Sequence, residues 1–211
     1  MNKQLHQRSG RLVPDQRQAA QALAEVVTVF AGRVDDALLN VDAMLAAYPD
    51  IAINLDTSTR ASMVNNHATA LIEAEYLDDR YMKVTRRGRM VLFTTKEYRL
   101  RVKKLDQSLR GQNFTTAQQA RLYRQIGLPM DGNPDEITDL IFGYRLSDTL
   151  LLDSMWVVCP KNMESNHWVI PVFEAASDSS INLWSDLGVT EAEIPVVVPR
   201  SASVQRSLKN G

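Results

Sequence analysis

At Arg80 the spacing of apolar residues changes from three and four to two, and this switch constrains the fold more than any other feature of the chain. Before it, Ala19, Ala22, Leu23, Val26, Val27 and Phe30 recur at helical spacing. So do Val34, Ala37, Leu38, Val41, Met44, Leu45 and Tyr48, and then Met63, Val64, Ala68, Leu71, Ile72, Ala74 and Tyr76. Each set places one apolar stripe along a helix. Pro14 and Asp15 suit a first helical turn, and Gly32 interrupts the first stripe. Pro49 ends the second helix by disfavouring helical geometry at Tyr48, and Asp56 or Thr57 caps the third. Ile51, Ile53 and Leu55 alternate briefly, which predicts an extended connector.

Beyond Arg80, Met82 and Val84 alternate with Tyr81, Lys83 and Thr85. Arg86-Arg87-Gly88-Arg89 then makes a turn in which glycine supplies the positive φ of a tight hairpin. Residues 90–94 return as a strand. Tyr98, Leu100 and Val102 follow, alternating with Arg99, Arg101 and Lys103. A short helix is predicted from Thr115 or Thr116, with Ala117, Ala120, Leu122, Tyr123 and Ile126 as its apolar positions and Gly127 and Pro129 as its stop. A loop at 131–135 leads to apolar segments at 137–146, 154–159 and 167–173, which read as antiparallel strands extending the same sheet. Segments 181–184 and 194–198 add one or two more, the last at an edge because of Pro195. Helices followed by strands predict an α+β fold. An N-terminal helical lobe (1–79) packs on an antiparallel β-sheet with one inserted helix (80–200), and a polar tail (201–211) follows.

With 211 residues and 45% hydrophobic content, the chain can bury a sizeable core. It has no run of about 18 apolar residues, so no membrane span is expected. Its polar N-terminus lacks the apolar middle of a secretory signal. Cys159 is the sole cysteine, which excludes an internal disulfide and favours a reducing, cytoplasmic setting.

The net charge of −1 conceals a strong asymmetry. Residues 80–110 hold eleven Lys/Arg against Glu97 and Asp106, a local charge of +9. Residues 14–79 hold eleven Asp/Glu against Arg17, Arg33 and Arg60, a local charge of −8. In the strand at 98–104, Arg99, Arg101 and Lys103 project from the face opposite the apolar set. With Lys104 and the turn residues Arg86, Arg87 and Arg89 they make a candidate surface for a nucleic acid or another polyanion. Two blander uses compete: pairing with the acidic helices, or charge that keeps an edge strand from aggregating.

Catalytic chemistry is poorly supplied. There is no G-x-S-x-G elbow and no phosphate-cradling loop, and Cys159 ends an apolar strand, where a buried, inert thiol is expected. His6, His67 and His167 show no metal-ligand spacing, so neither a metal nor a cofactor is expected. A divergent metal-dependent nuclease would have to draw on Glu73, Glu75 or Glu97, which read more simply as helix and turn residues.

Several short stretches carry a family resemblance: residues 100–106, Leu109-Arg110, Gln118-Gln119, Gln125, Leu128-Pro129, Gly143-Tyr144-Arg145-Leu146, and Val158-Cys159-Pro160 with Trp168. Over residues 80–170 the chain resembles uncharacterised bacterial or prophage proteins associated with genes for helix-turn-helix regulators and small metallopeptidases. The resemblance implies a component of a mobile-element, stress-response or defence module, and it implies no catalytic residue. The peptidase motif H-E-x-x-H is missing, so the chain would be the companion of such a peptidase. The expectation is a non-enzymatic regulatory protein that binds a protein partner, or a nucleic acid through the basic hairpins, with the nuclease as the alternative.

Overall fold

The computed structural model describes residues 13–88, 90–111, 117–125, 137–147 and 149–174. The strand segments expected at 181–184 and 194–198 and the tail at 201–211 lie outside the described residues.

Helix α1 (Gln16–Ala47) runs unbroken for 32 residues, about 48 Å at the usual rise. Asp15 stands at its N-cap and not in its first turn, with Oδ1 accepting from the Gln18 amide at 2.9 Å. Gly32 does not interrupt the helix. Leu23, Val27, Phe30, Ala31, Val34, Leu38 and Val41 are all buried in the same core. That burial outweighs the roughly 1 kcal/mol helix penalty of one glycine. Residues 49–55 are likewise not an extended connector. Pro49 occupies the first position of a short helix, α2 (Pro49–Ile53), where its missing N–H is harmless. Asp56 then caps α3 (Thr57–Glu75), accepting from the Thr59 amide and hydroxyl at 2.8 and 2.7 Å.

Six strands form one sheet in sequence order: β1 (Lys83–Arg87), β2 (Met90–Thr94), β3 (Tyr98–Lys104), β4 (Thr138–Leu146), β5 (Leu152–Pro160) and β6 (Asn166–Glu174). All neighbours are antiparallel except β3 and β4, which run parallel from Tyr98↔Thr138 to Lys104↔Tyr144. The expectation of an antiparallel sheet is therefore right for four of the five pairings. A parallel pair needs a crossover of a dozen residues or more. The segment between Lys104 and Thr138 is that crossover, and it carries α4 (Ala117–Tyr123).

The crossover gives the sheet two covered faces. On one, Tyr98, Leu100, Val102, Leu140, Phe142, Tyr144, Met155 and Val157 meet α1 and α3 in a single core. Phe30 of α1 lies at its centre, edge-on to Phe93 (5.1 Å between centroids) and Phe142 (5.5 Å). Hydrogen bonds fasten the layers. Trp168 Nε1 donates to Pro14 O at 2.9 Å, Gln16 Nε2 donates to Val169 O at 2.8 Å, and the Tyr144 hydroxyl donates to Ala61 O at 3.2 Å. On the other face, Leu122 of α4 packs on Leu92, and Tyr123 packs with Leu105, Ile141 and Val158. Among the described residues no helix is long and apolar enough to cross a membrane.

Candidate polyanion interface

The basic residues singled out in the sequence do not share one surface. The β1–β2 hairpin pairs Arg87 with Met90, and Gly88 after Arg87 has φ +59° as a tight turn demands. Arg89 lies outside the described residues. Alternation along β1 sends Val84 and Arg86 toward the helices, where Val84 touches the core and Arg86 forms an ion pair with Glu73 of α3. Lys83, Thr85 and Arg87 point to the outer face, the face on which Leu92, the partner of Thr85, meets α4.

The row on β3 is also on the outer face, but it is not a solvent stripe. Arg99 is 3% exposed and Arg101 5% exposed, which corrects the expectation of an open row of cations. Both are covered because the parallel crossover lays α4 across this side of the sheet. In the parallel register Arg99 faces Asp139, and the two make a bidentate pair, Nε to Oδ1 at 2.6 Å and Nη2 to Oδ2 at 2.9 Å. The guanidinium of Arg101 sits 4.9 Å from the centroid of the Tyr123 ring, a cation–π contact. Burial pushes the Arg101 guanidinium down and raises the Tyr123 hydroxyl. Lys103 is half-buried, and burial together with the neighbouring Arg101 charge pushes it down to about 8. Lys104 is half-buried at a surface cleft with Asp106, Arg145 and Asp153.

Three residues that the sequence analysis did not assign to this site organise it. Asp139 supplies the carboxylate for Arg99. Tyr123 supplies the ring over Arg101. Gln125, held at φ +54° just past α4, clamps the strands. Its Oε1 accepts from the Asp139 amide at 2.8 Å, while its Nε2 donates to Asp139 O at 2.8 Å and Pro160 O at 3.0 Å. The one available signal was an acidic residue inside the apolar run 137–146.

Exposed cations on the outer side therefore come from other positions. Lys83 is exposed and Arg87 half-buried on β1, and Arg121 and Arg124 are exposed on and just after α4. Lys83, Arg87 and Arg124 have no ion-pair partner among the described residues. The helical side is different. There Arg33 pairs with Glu75 at 2.6 Å and with Asp36 at 2.9 Å, and Arg60 pairs with Asp42 at 2.5 Å. Intramolecular pairing with the acidic helices thus accounts for Arg86 and does not extend to Lys83, Arg87 or Arg124 among the described residues.

The carboxylates of the nuclease alternative are dispersed. Glu73 and Glu75 are engaged by Arg86 and Arg33, and Glu97 lies in the exposed β2–β3 turn. Among the described residues no three His, Cys, Asp or Glu side chains are grouped to hold a metal ion. His67 bonds Asn40 through Nε2 at 3.0 Å, and Cys159 is buried in the core.

A second surface feature lies at the opposite end of the helical layer. The end of α1, α2, the start of α3 and the turn before β5 surround a shallow cleft of about 350 Å³ lined by Leu45, Ala46, Ala52, Leu55, Arg60 and Leu150. Met44, Tyr48, Ile51, Ile53 and Leu151 are exposed on these same elements.

The fold and its two faces define an α+β protein with an acidic helical layer and a basic outer hairpin. No protein-family model, curated protein or solved structure matches the chain.

Proposed function

We propose that the protein is a non-enzymatic binding protein that takes a nucleic acid on the outer face of the β1–β2 hairpin, beside α4. The observation that carries this reading is the one-sided neutralisation of the basic segment. Arg86 is matched by Glu73 on the helical side, while Lys83, Arg87 and Arg124 on the outer side have no carboxylate partner among the described residues. Unmatched cations on a rigid two-stranded ribbon suit a phosphate backbone, because each one displaces a condensed counterion on contact. A bacterial regulatory or defence context belongs to the same proposal and rests on the resemblance over residues 80–170. A reducing, cytoplasmic setting rests on the lone Cys159.

The test titrates fluorescent duplex DNA and single-stranded RNA with the wild-type chain and with a Lys83→Ala/Arg87→Ala/Arg124→Ala variant, over a salt series with and without Mg²⁺. Binding should weaken steeply with salt, and the variant should lose roughly one unit of salt slope for each cation that contacts phosphate. Absence of binding at low salt overturns the proposal. A Mg²⁺-dependent cleavage product that vanishes in Glu73→Gln, Glu75→Gln or Glu97→Gln would instead establish the nuclease alternative.

A second reading, a protein partner, is favoured by the exposed apolar corner of Tyr48, Ile51 and Ile53 with the carboxylates of Asp50 and Asp56 beside it. That combination fits a basic amphipathic segment, whose apolar face would cover the isoleucines while its cations meet the acids. An Ile51→Glu/Ile53→Glu variant separates the two readings, since it should abolish such a complex and leave nucleic-acid affinity unchanged.

A further inference from the structure

We propose that the outer row of β1 takes a single strand and not a duplex, with the ring of Tyr81 stacked on an unpaired base and Lys83 and Arg87 on the phosphates that follow it. This inference rests on the nucleic-acid reading and deepens it: it adds the aromatic group and the strandedness of the ligand.

Met82 and Val84 turn into the helical core, and Arg86 turns the same way to pair with Glu73 of α3. Tyr81, Lys83, Thr85 and Arg87 hold the intervening positions and so project to the outer side. Five consecutive pairs with β2 hold the strand in place. Just before it, Asp79 fixes the approach, its Oδ1 accepting from the Tyr81 amide at 2.6 Å and the Met82 amide at 2.7 Å. Tyr81 itself is 87% exposed, so nearly the whole ring is open to a ligand. Among the described residues one other aromatic side chain, Tyr48, is comparably open. It lies in a stretch, residues 34–59, that holds five aspartates and no Lys or Arg. Tyr81 is the one that shares a row with cations, Lys83 about 7 Å along the chain and Arg87 about 13 Å beyond that. Neither cation has an ion-pair partner among the described residues.

Cations alone suit either form of nucleic acid, since both carry a phosphate backbone. An open aromatic face does not. In a duplex each base is covered above and below by its neighbours, and a ring outside the stack meets only phosphates and groove edges. In a single strand the base face is free, and it stacks on an aromatic side chain whatever the base, because every base has a π-face. The charges around Tyr81 set the direction of the strand. Asp78 and Asp79 lie just before it and repel phosphate, while Lys83 and Arg87 lie beyond it and attract phosphate. The neighbouring β2–β3 turn carries one exposed charge of each sign, Lys96 and Glu97, and so adds no preference. The base therefore fits over Tyr81, and the backbone runs from there toward the hairpin turn.

The probes are a fluorescent single-stranded DNA oligonucleotide, an abasic oligonucleotide with the same number of phosphates, and the corresponding duplex. Each is titrated with the full chain, wild type and as Tyr81→Phe and Tyr81→Leu, at matched ionic strength and over a salt series. Tyr81 is so exposed that neither replacement disturbs the core. The wild type should prefer the single strand to the duplex. Tyr81→Leu, which keeps an apolar group but removes the ring, should weaken single-strand binding by about five- to a hundredfold, and Tyr81→Phe should stay near the wild type. The same Tyr81→Leu chain should bind the abasic strand as the wild type does, with an unchanged salt slope, because the phosphate contacts are intact. Tyr81→Leu binding the single strand as tightly as the wild type, or losing the abasic strand equally, overturns the inference, as does a preference for duplex. In those cases salt-dependent binding that falls in the Lys83→Ala/Arg87→Ala/Arg124→Ala variant leaves the hairpin reading standing. Absence of binding to all three probes at low salt overturns both, so the two failures are told apart.

Discussion

Asp139 is the residue on which the buried polar layer turns. It pairs with Arg99 through both carboxylate oxygens, and its backbone N–H and C=O are both taken by the side chain of Gln125. Removing the carboxylate leaves a guanidinium at 3% exposure beside a second buried one, so Asp139→Ala should cost about 3–5 kcal/mol in urea denaturation. A paired Arg99→Met/Asp139→Leu replacement should recover most of that loss, because two apolar groups of similar size remove the uncompensated charge. Recovery of less than half would mean that the pair contributes in its own right and is not merely balanced. None of this was legible in the sequence. Alternation along 98–104 correctly separates the three cations from Tyr98, Leu100 and Val102, but it cannot say what covers the cationic side. That cover depends on the direction of β4, and direction leaves no trace in a period of two.

The elements were easier to read than their connections. Three helical stripes, the hairpin at 86–89 and strands expected at 137–146, 154–159 and 167–173 followed from local spacing and turn chemistry, and β4, β5 and β6 lie within two residues of those bounds. The break expected at Gly32 and the extended connector expected at 51–55 do not occur. Both expectations weighed a local preference that tertiary burial or an immediate helix restart at Pro49 overrides. The absence of a break at Gly32 carries a prediction. The glycine is exposed, in regular helix, and a Cβ there would meet no atom within 4 Å. Gly32→Ala should therefore stabilise the protein by about 0.5–1 kcal/mol, chiefly by restricting the unfolded chain, and a thermal melt would show it. A decrease in stability would mean that α1 is bent or strained at that position.

At the scale of the whole molecule, buried titratable groups set an alkaline stability profile with a maximum. Lys103 is held down at about 8 against an ordinary value of 10.5, so the unfolded chain binds more protons between these values and stability should rise with pH above about 8. Tyr76 and Tyr98 are pushed up to about 12 from 10.0, chiefly by burial. Their contribution is intact below pH 10 and is lost as pH climbs toward 12, because the unfolded tyrosines ionise first. Stability should thus climb from about pH 8 to 10 and fall beyond it. Lys103→Met should flatten the rising limb and leave the falling one in place, which denaturant titrations at stepped pH would resolve. An unchanged rising limb in that variant would assign the effect to another group.

The single parallel pairing has a kinetic consequence. Strands β1 to β3 and strands β4 to β6 are each joined by short local turns, so each trio can zip up by closing small loops. Only the β3–β4 seam waits on the closure of a crossover of more than thirty residues. The molecule is therefore two meanders glued along one line, with the Arg99–Asp139 pair as part of the glue. That seam should be the last to close during folding and the first to breathe in the native state. Pulsed hydrogen exchange should find the amides bonded across β3–β4 protected later than those across β4–β5, and simultaneous protection would show that the sheet instead condenses as a single unit.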